Sequence, residues 1–310
     1  MMPLDDETAG SIRKTVLVTG ATGYIGSRLI PRILETHAVR CLVRDRGRVP
    51  ASFRDRIDAV EGDVMHSPTV RQALKGVDVA FYLIHGMGNG TDFQQSDRIA
   101  AEGFAKVAQD EGVSRIIYLG GLGDENDPEL SPHLRSRHEV GEIFRNSGVP
   151  TIELRASIVL GPGSLSYELI RSLTQRLPMM ICPRWLSTPT QPIATDDVLS
   201  YLHQAIDLPA EQSELFEIGS QDVVTYGQLI QMYAKERNLR RLLISVPLLT
   251  PYLSSLWLGL VTPTSADVGR HLIEGLRNPT VVRDNRALSR FPHQPMSTSE
   301  AIRQAVAAEG

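Results

Sequence analysis

Thr19-Gly20-Ala21-Thr22-Gly23-Tyr24-Ile25-Gly26 is the stretch whose reading decides the fold. It follows Thr15-Val16-Leu17-Val18-Thr19, a run too short for a helix and rich in β-branched residues, which reads as a buried parallel strand. It precedes Ser27–Thr36, which reads as a helix with Pro31 near its first turn. Glycines spaced G-x-x-G-x-x-G between a strand and a helix form a seat for a pyrophosphate. Gly20 allows the tight turn, Gly23 lets the backbone approach the phosphates, and Gly26 lets the helix lie close to the strand. The helix N-terminus then turns free N–H groups and a partial positive charge toward the anion. Glycines alone cluster in many loops; the strand before and the helix after make the pattern specific. Thr22, Tyr24 and Ile25 belong to the same candidate dinucleotide seat.

Outward from this turn the pattern alternates. Val39–Val43, Ala59–Glu61, Val79–Ile84, Arg115–Leu119 and Thr151–Leu160 read as strands. Between them, Ser67–Lys75, Asp92–Glu111 and a segment starting after Ser131-Pro132 read as helices, closed by Gly76, Gly112 and Gly148. Such spacing implies βαβ units with right-handed crossovers and a parallel sheet, hence an α/β, doubly wound Rossmann-type fold. After Gly161 the pattern changes: Tyr167–Leu177, Asp196–Ile206 and Tyr226–Arg237 read as helices, Leu215–Ile218 as a strand, and Pro178–Pro192 as irregular. The expectation is a nucleotide-binding core over 13–160 and a smaller carboxyl-terminal substrate lobe over 161–310 that completes the fold.

The second strand ends in Leu42-Val43-Arg44-Asp45. An acidic residue there binds the ribose 2′-hydroxyl of NAD, whereas an arginine accommodates the 2′-phosphate of NADP. Arg44, with Arg46 and Arg48 nearby, points to NADP(H), with NAD(H) possible if Asp45 takes the ribose instead. Gly62-Asp63-Val64 follows the third strand; the Asp63 carboxylate suits an adenine amino group, and equally a helix-starting turn. His85 and Gly86 lie just beyond the fourth strand, at a carboxyl end where the cleft is expected.

Composition narrows the class. The chain has 310 residues and a formal net charge of −4, which supplies no basic field for nucleic acid. Cys41 and Cys182 sit in unrelated segments without Cys-x-x-Cys or zinc spacing, so a reduced, cytoplasmic setting is expected and no metal site is visible. The polar, acidic start does not read as a signal peptide. No Gly-x-Ser-x-Gly elbow supports a serine hydrolase.

Taken together, the Gly20–Gly26 turn, Gly62-Asp63 and Pro192-Ile193-Ala194-Thr195-Asp196-Asp197-Val198 resemble the atypical and extended branches of the short-chain dehydrogenase/reductase superfamily. Leu42-Val43-Arg44 looks like its NmrA-like and complex-I-subunit-like members. Tyr82–Gly88, Tyr118–Gly123, His133–Arg137 and Arg184-Trp185 are similar to a bacterial subgroup of NAD(P)-binding oxidoreductases. The resemblance implies a Rossmann core, a bound dinucleotide and a substrate cleft between core and lobe. One departure matters for chemistry. Catalytic members carry Tyr-x-x-x-Lys on the helix after the fifth strand, with Ser or Thr just after that strand. Here His133 and Arg137 stand at the pair, and Gly120 or Gly121 at the hydroxyl position.

His133 and Arg137 are therefore the candidate catalytic residues. Imidazole can donate a proton near neutral pH, and a guanidinium can stabilise developing negative charge. A solvated helix start and a surface ion pair are the alternative roles. Gly121, Met179, Trp185 and Gln191 are candidates for the substrate site, with Met179-Met180-Ile181 and Trp185-Leu186 as an apolar lining or as ordinary core. The expected activity is NADP(H)-dependent reduction of a small, fairly apolar carbonyl, imine or enone compound. A non-catalytic NADP(H)-binding sensor or accessory protein is the alternative. Finally, 242–266 carries no charged residue but is broken by Pro247, Pro251 and Pro263, which suggests a folded segment that covers the cleft or makes a membrane-surface or subunit contact, and not a spanning helix.

Overall fold

The structure, a computed structural model, describes residues 13–84, 93–182, 184–245 and 277–309. The first half alternates strictly: β1 (Thr15–Thr19), α1 (Tyr24–Ile33), β2 (Ala38–Val43), α2 (Ala51–Arg54), β3 (Asp58–Glu61), α3 (Ser67–Leu74), β4 (Val79–Tyr82), α4 (Phe93–Asp110), β5 (Arg115–Gly121), α5 (Pro132–Arg145), β6 (Thr151–Ala156). The second half carries β7 (Val159–Leu160), α6 (Leu165–Arg176), β8 (Met179–Cys182), β9 (Pro189–Thr190), β10 (Ile193–Ala194), α7 (Thr195–Ala205), β11 (Glu214–Ile218), β12 (Val224–Thr225), α8 (Tyr226–Glu236), β13 (Leu242–Ser245), α9 (Arg286–Arg290) and α10 (Thr298–Ala307).

Seven strands form one parallel sheet in the order β3-β2-β1-β4-β5-β6-β11. This is the doubly wound Rossmann-type arrangement. The order reverses between β1 and β4, and ligands of such sheets bind in the crevice at the strand carboxyl ends there. Thr19 pins that crevice: its hydroxyl donates to the Phe81 carbonyl at 2.9 Å and accepts from the Leu83 N–H at 3.1 Å.

Alternation along the strands builds two cores. Val16, Val18 and Phe81 face one side, where Ile30 of α1 and Leu202 of α7 cover them. Leu17, Ala80 and Tyr118 face the other, under α3, α4 and α5. There Tyr82, Phe104, Tyr118 and Phe144 pack edge to face, with ring centroids 4.8 Å apart for Tyr82 and Phe144 and 5.6 Å for Tyr118 and Phe144. Losing one such ring to alanine costs about 3–5 kcal/mol, so this cluster fixes α4 and α5 to the sheet.

Several elements differ from the sequence reading. Pro31 lies in the last turn of α1, not the first; there its ring removes only one backbone bond next to a helix end. Val159–Leu160 is not part of the sixth strand but a separate strand paired with β10. Pro178–Pro192 is more regular than its prolines suggest. β8 pairs in parallel with β13, and β9 pairs antiparallel with β12. Both bonds come from segments distant in sequence. α6 starts at Leu165 because the Ser164 hydroxyl accepts from the Tyr167 N–H at 3.2 Å. The second half also supplies β11, so the two halves share one sheet. His85 and Gly86 lie outside the described residues, as does 246–266.

Candidate functional site

The glycine turn is held by its own backbone. Gly20 has φ +72°, and a Cβ there would sit 2.7 Å from the Leu83 carbonyl oxygen. A Cβ at Gly26 would collide with the Gly20 carbonyl. Gly23 donates to that same carbonyl at 2.9 Å and opens α1 as its N-cap, with no side chain capping the helix and no acidic residue in the first turn. Thr22 and Gly23 are exposed, Tyr24 and Ile25 half-buried. An uncapped helix N-terminus behind a bare, close-packed turn is built for an anion. The residues present therefore fit a dinucleotide pyrophosphate.

Arg44 is exposed just past β2, and neither it nor Arg46 or Arg48 makes a salt bridge among the described residues. Asp45 is otherwise engaged: its Oδ1 accepts from the Gly47 N–H at 2.8 Å and caps a short 3-10 turn over Arg46–Arg48. One oxygen of the carboxylate that would hold an unphosphorylated ribose thus serves the turn, and the exposed arginine stands beside it. At the next carboxyl end, Asp63 Oδ1 accepts from the Met65 N–H at 2.9 Å, and its carbonyl accepts from Thr69 Oγ1 at 3.0 Å. Gly62 leaves room for Thr69, whose side chain a Cβ would strike. Asp63 acts as a turn residue here, and Val64 packs half-buried on the core beneath.

At the end of β5, Gly120 and Gly121 present no side chain. α5 approaches them closely: a Cβ on Gly121 would lie 2.7 Å from Leu134 and 3.2 Å from Arg137. The helix starts where the sequence places it. Ser131 Oγ accepts from the Leu134 N–H at 3.3 Å, and the Ser131 N–H donates to Asn278 Oδ1 at 3.0 Å. Asn278 Nδ2 in turn donates to Asp127 Oδ2 at 3.0 Å and the Glu129 carbonyl at 3.1 Å. Sequence reasoning missed Asn278; no local signal marks a residue whose partners lie so far away along the chain.

His133 is half-buried in the first turn of α5. One turn on, Arg137 donates through Nη2 to the Leu119 carbonyl at 2.8 Å, while its buried Nε has no partner among the described residues. Arg137 therefore lies along the end of β5 with its Nε uncommitted. His138 donates from Nε2 to the Gly121 carbonyl at 2.9 Å, and its Nδ1 is likewise buried without a partner. Burial, and secondarily the charge of Arg155, pushes the His138 imidazole down to about 4. It is a neutral donor holding the Gly120-Gly121 end of β5.

Beneath this end of β5 runs an ionic chain centred on the buried Glu153 and Arg155. Arg155 pairs with Glu153 at 2.6 Å and with Glu125 at 2.5 Å, and Arg145 closes on the second oxygen of Glu153. Glu153 is fully buried and lies between Gly120 and Gly141; a Cβ on Gly141 would collide with it, and one on Gly120 would sit tightly at 3.1 Å. Removing Arg155 would leave the fully buried Glu153 with Arg145 as its remaining ion pair among the described residues, a destabilising loss.

The substrate candidates divide. Gly121 lies at the end of β5 beside Arg137. Met179 is 57% exposed on β8, whereas Met180 and Leu186 are buried in the core of the second half. Nothing is described of the Trp185 side chain. Gln191 donates to the Ser220 carbonyl at 2.7 Å and accepts from the Val282 N–H at 3.0 Å, so both ends of its amide hold backbone. A hydroxyl cluster not foreseen from the sequence closes the neighbouring strand end: Ser157 Oγ lies 2.7 Å from Thr190 Oγ1 and 2.6 Å from Thr280 Oγ1. Leu242 and Ile244 on β13 are 57% and 39% exposed. Among the described residues, no helix is long and apolar enough to cross a membrane, and no group of three or more His, Cys, Asp or Glu is placed to hold a metal ion.

Comparison with known proteins agrees with this geometry. A family described as NAD(P)H-binding matches residues 20–175. A 3-beta-hydroxysteroid dehydrogenase of Mycolicibacterium neoaurum is 30% identical over 148 residues, covering 42% of this chain and 40% of that protein. A (4-alkanoyl-5-oxo-2,5-dihydrofuran-3-yl)methyl phosphate reductase of Streptomyces griseus is 27% identical over 165 residues, covering 51% of this chain and 55% of that protein. The chain thus spans about half the length of the curated relatives it matches. The Citrobacter sp. triphenylmethane reductase complexed with NADP(H) superposes with a TM-score of 0.74 over 94% of this chain and 99% of that one, at 17% identity, which shows a shared fold.

Proposed function

The chain belongs to the NAD(P)H-binding family, among short-chain dehydrogenase/reductase-like proteins, and from that premise we propose that it is an NADP(H)-dependent reductase of a small, fairly apolar carbonyl, imine or enone compound. The observation that carries this reading is Arg137, laid along the end of β5 with its Nε uncommitted, one helical turn after His133. The names of the two relatives, a steroid dehydrogenase and a reductase of an alkanoyl oxo-dihydrofuran phosphate, support a carbonyl-bearing, partly apolar substrate.

In this reading Gly20, Gly23, Gly26 and the first turn of α1 hold the pyrophosphate, and Arg44 holds the 2′-phosphate. Bound NADPH supplies a hydride. His133 gives a proton to the substrate oxygen or nitrogen, and Arg137 stabilises negative charge as it develops there. His138 holds the Gly120-Gly121 end of β5, against which Arg137 lies.

NADPH oxidation across a panel of hydrophobic carbonyl and enone compounds tests the proposal. His133→Phe is expected to lower turnover about 10²–10⁴-fold, with NADPH affinity nearly unchanged. Equal turnover in the two proteins removes His133 as donor. A second reading, a sensor that holds NADP(H) without turnover, draws on Gly120 and Gly121, which offer no hydroxyl at the end of β5. Tight NADPH binding with no oxidation across the whole panel favours it.

We also propose that the uncharged run 242–266 makes a membrane-surface or subunit contact, supported by the exposed Leu242 and Ile244 at its start. Sedimentation with liposomes and sedimentation velocity check this. No liposome binding together with a monomer leaves the contact without support.

A further inference from the structure

Tyr24 begins α1 directly after Gly23, yet its side chain turns away from the glycine seat. Its hydroxyl lies 2.7 Å from Thr195 Oγ1, the first residue of α7. Thr195 Oγ1 donates to the Leu160 carbonyl at 3.1 Å. The proton of Thr195 is therefore committed, and Tyr24 is the donor: a relay runs from Tyr24 to Thr195 to Leu160. The next residue makes room for it, since a Cβ on Gly161 would lie 2.6 Å from the Tyr24 hydroxyl and collide with Thr195 Oγ1.

Two arginines continue the fastening along α1. The Arg28 guanidinium sits 4.0 Å above the Tyr24 ring and donates to the Tyr24 and Pro162 carbonyls, each at 3.1 Å. Arg32 pairs with Asp196 at 2.6 Å and donates to Ser200 Oγ at 3.3 Å. The helix that opens on the pyrophosphate seat is thus tied over three turns to 160–163 and 195–200, both in the second half of the chain. The backbone N–H at the mouth of the seat and the hydroxyl of the relay belong to one residue.

We propose that Tyr24, Thr195 and Arg28 form a joint through which dinucleotide binding at the glycine turn orders the start of α7 and the second half behind it. Tyr24 is a positioning residue in this scheme. A nucleotide that fixes the Tyr24 backbone narrows the freedom of its hydroxyl, and the relay hands that restriction to Thr195. The joint rests on the dinucleotide seat and not on the identity of the substrate or the proton donor.

Hydrogen–deuterium exchange of the full chain, with and without NADPH, tests it. In the unmutated protein NADPH is expected to protect amides both in 20–33 and in 193–200. Tyr24→Phe keeps the ring beneath Arg28 and removes the relay. It is expected to weaken NADPH about 3–10-fold, the worth of one hydrogen bond, and to lose the added protection at 193–200 while keeping it at the turn. Thr195→Val should behave alike, and Thr195→Ser, which keeps the hydroxyl, should restore both. A purely structural role would lower the melting temperature of Tyr24→Phe but leave NADPH-dependent protection at 193–200 in place; that result overturns the joint. No change at 193–200 in the unmutated protein, with protection at the turn, also overturns it. No NADPH binding, and no protection at the turn, overturns the seat itself and the joint with it.

Discussion

Single residues carry most of the chemical content, and His138 shows how. Its imidazole is 8% exposed and donates to the Gly121 carbonyl. Burial and Arg155 hold it neutral, with the folded-state value lowered to about 4 against an ordinary 6.5. The sign follows directly. As pH falls from about 6.5 toward about 4, the unfolded chain takes up a proton that the folded chain refuses, so stability falls through that window and is restored above it. Denaturant unfolding at pH 7 and pH 4.5 is expected to show a smaller loss for His138→Gln, which keeps a donor but does not titrate. Equal losses in the two proteins contradict the assignment. Asp45 makes a related point about cofactor choice. The residue that competes with Arg44 for the ribose end spends one carboxylate oxygen as a cap, while no salt bridge among the described residues engages Arg44.

At the scale of elements, α5 is the one the site depends on, because His133 and Arg137 are placed by where it starts. Ser131 caps it and Asn278 fixes Ser131. Ser131→Ala is expected to lower stability by about 0.5–2 kcal/mol, measured by denaturant unfolding, with NADPH affinity retained; no loss at all contradicts the capping role. Ser131-Pro132 and Gly148, which has φ +82°, were readable because caps act over a few residues. The strand–turn–helix around Gly20 was readable for the same reason. The pairings β8–β13 and β9–β12 were not, since their partners are distant and prolines suggested loop. α10 starts at a capping box formed by Ser297 and Glu300. Of the site, the glycine turn and the β5–α5 corner were legible. The hydroxyl cluster at Ser157 and the Tyr24–Thr195 bond were not, because each joins two segments that no periodicity links.

Over the whole molecule, the two halves are interlocked. β11 extends the sheet beside β6, α7 packs against α1, and Asn278 braces the loop before α5. A core of 13–160 alone would leave β6 as an open edge and α1 without the partners of Arg28 and Arg32. The candidate cleft therefore draws on both halves of the described chain, with the pyrophosphate seat at the reversal of strand order and the proposed proton donor two strand ends away on the β5 side. The account stands or falls on what fills that seat. Isothermal titration of the unmutated protein with NADPH and with NADH tests this most directly. NADPH is expected to bind more tightly, by about tenfold or more as one charged contact to the 2′-phosphate implies, and Arg44→Ala should bring the two affinities together. Equal affinities of the unmutated protein for NADPH and NADH, or no binding of either, would contradict the account.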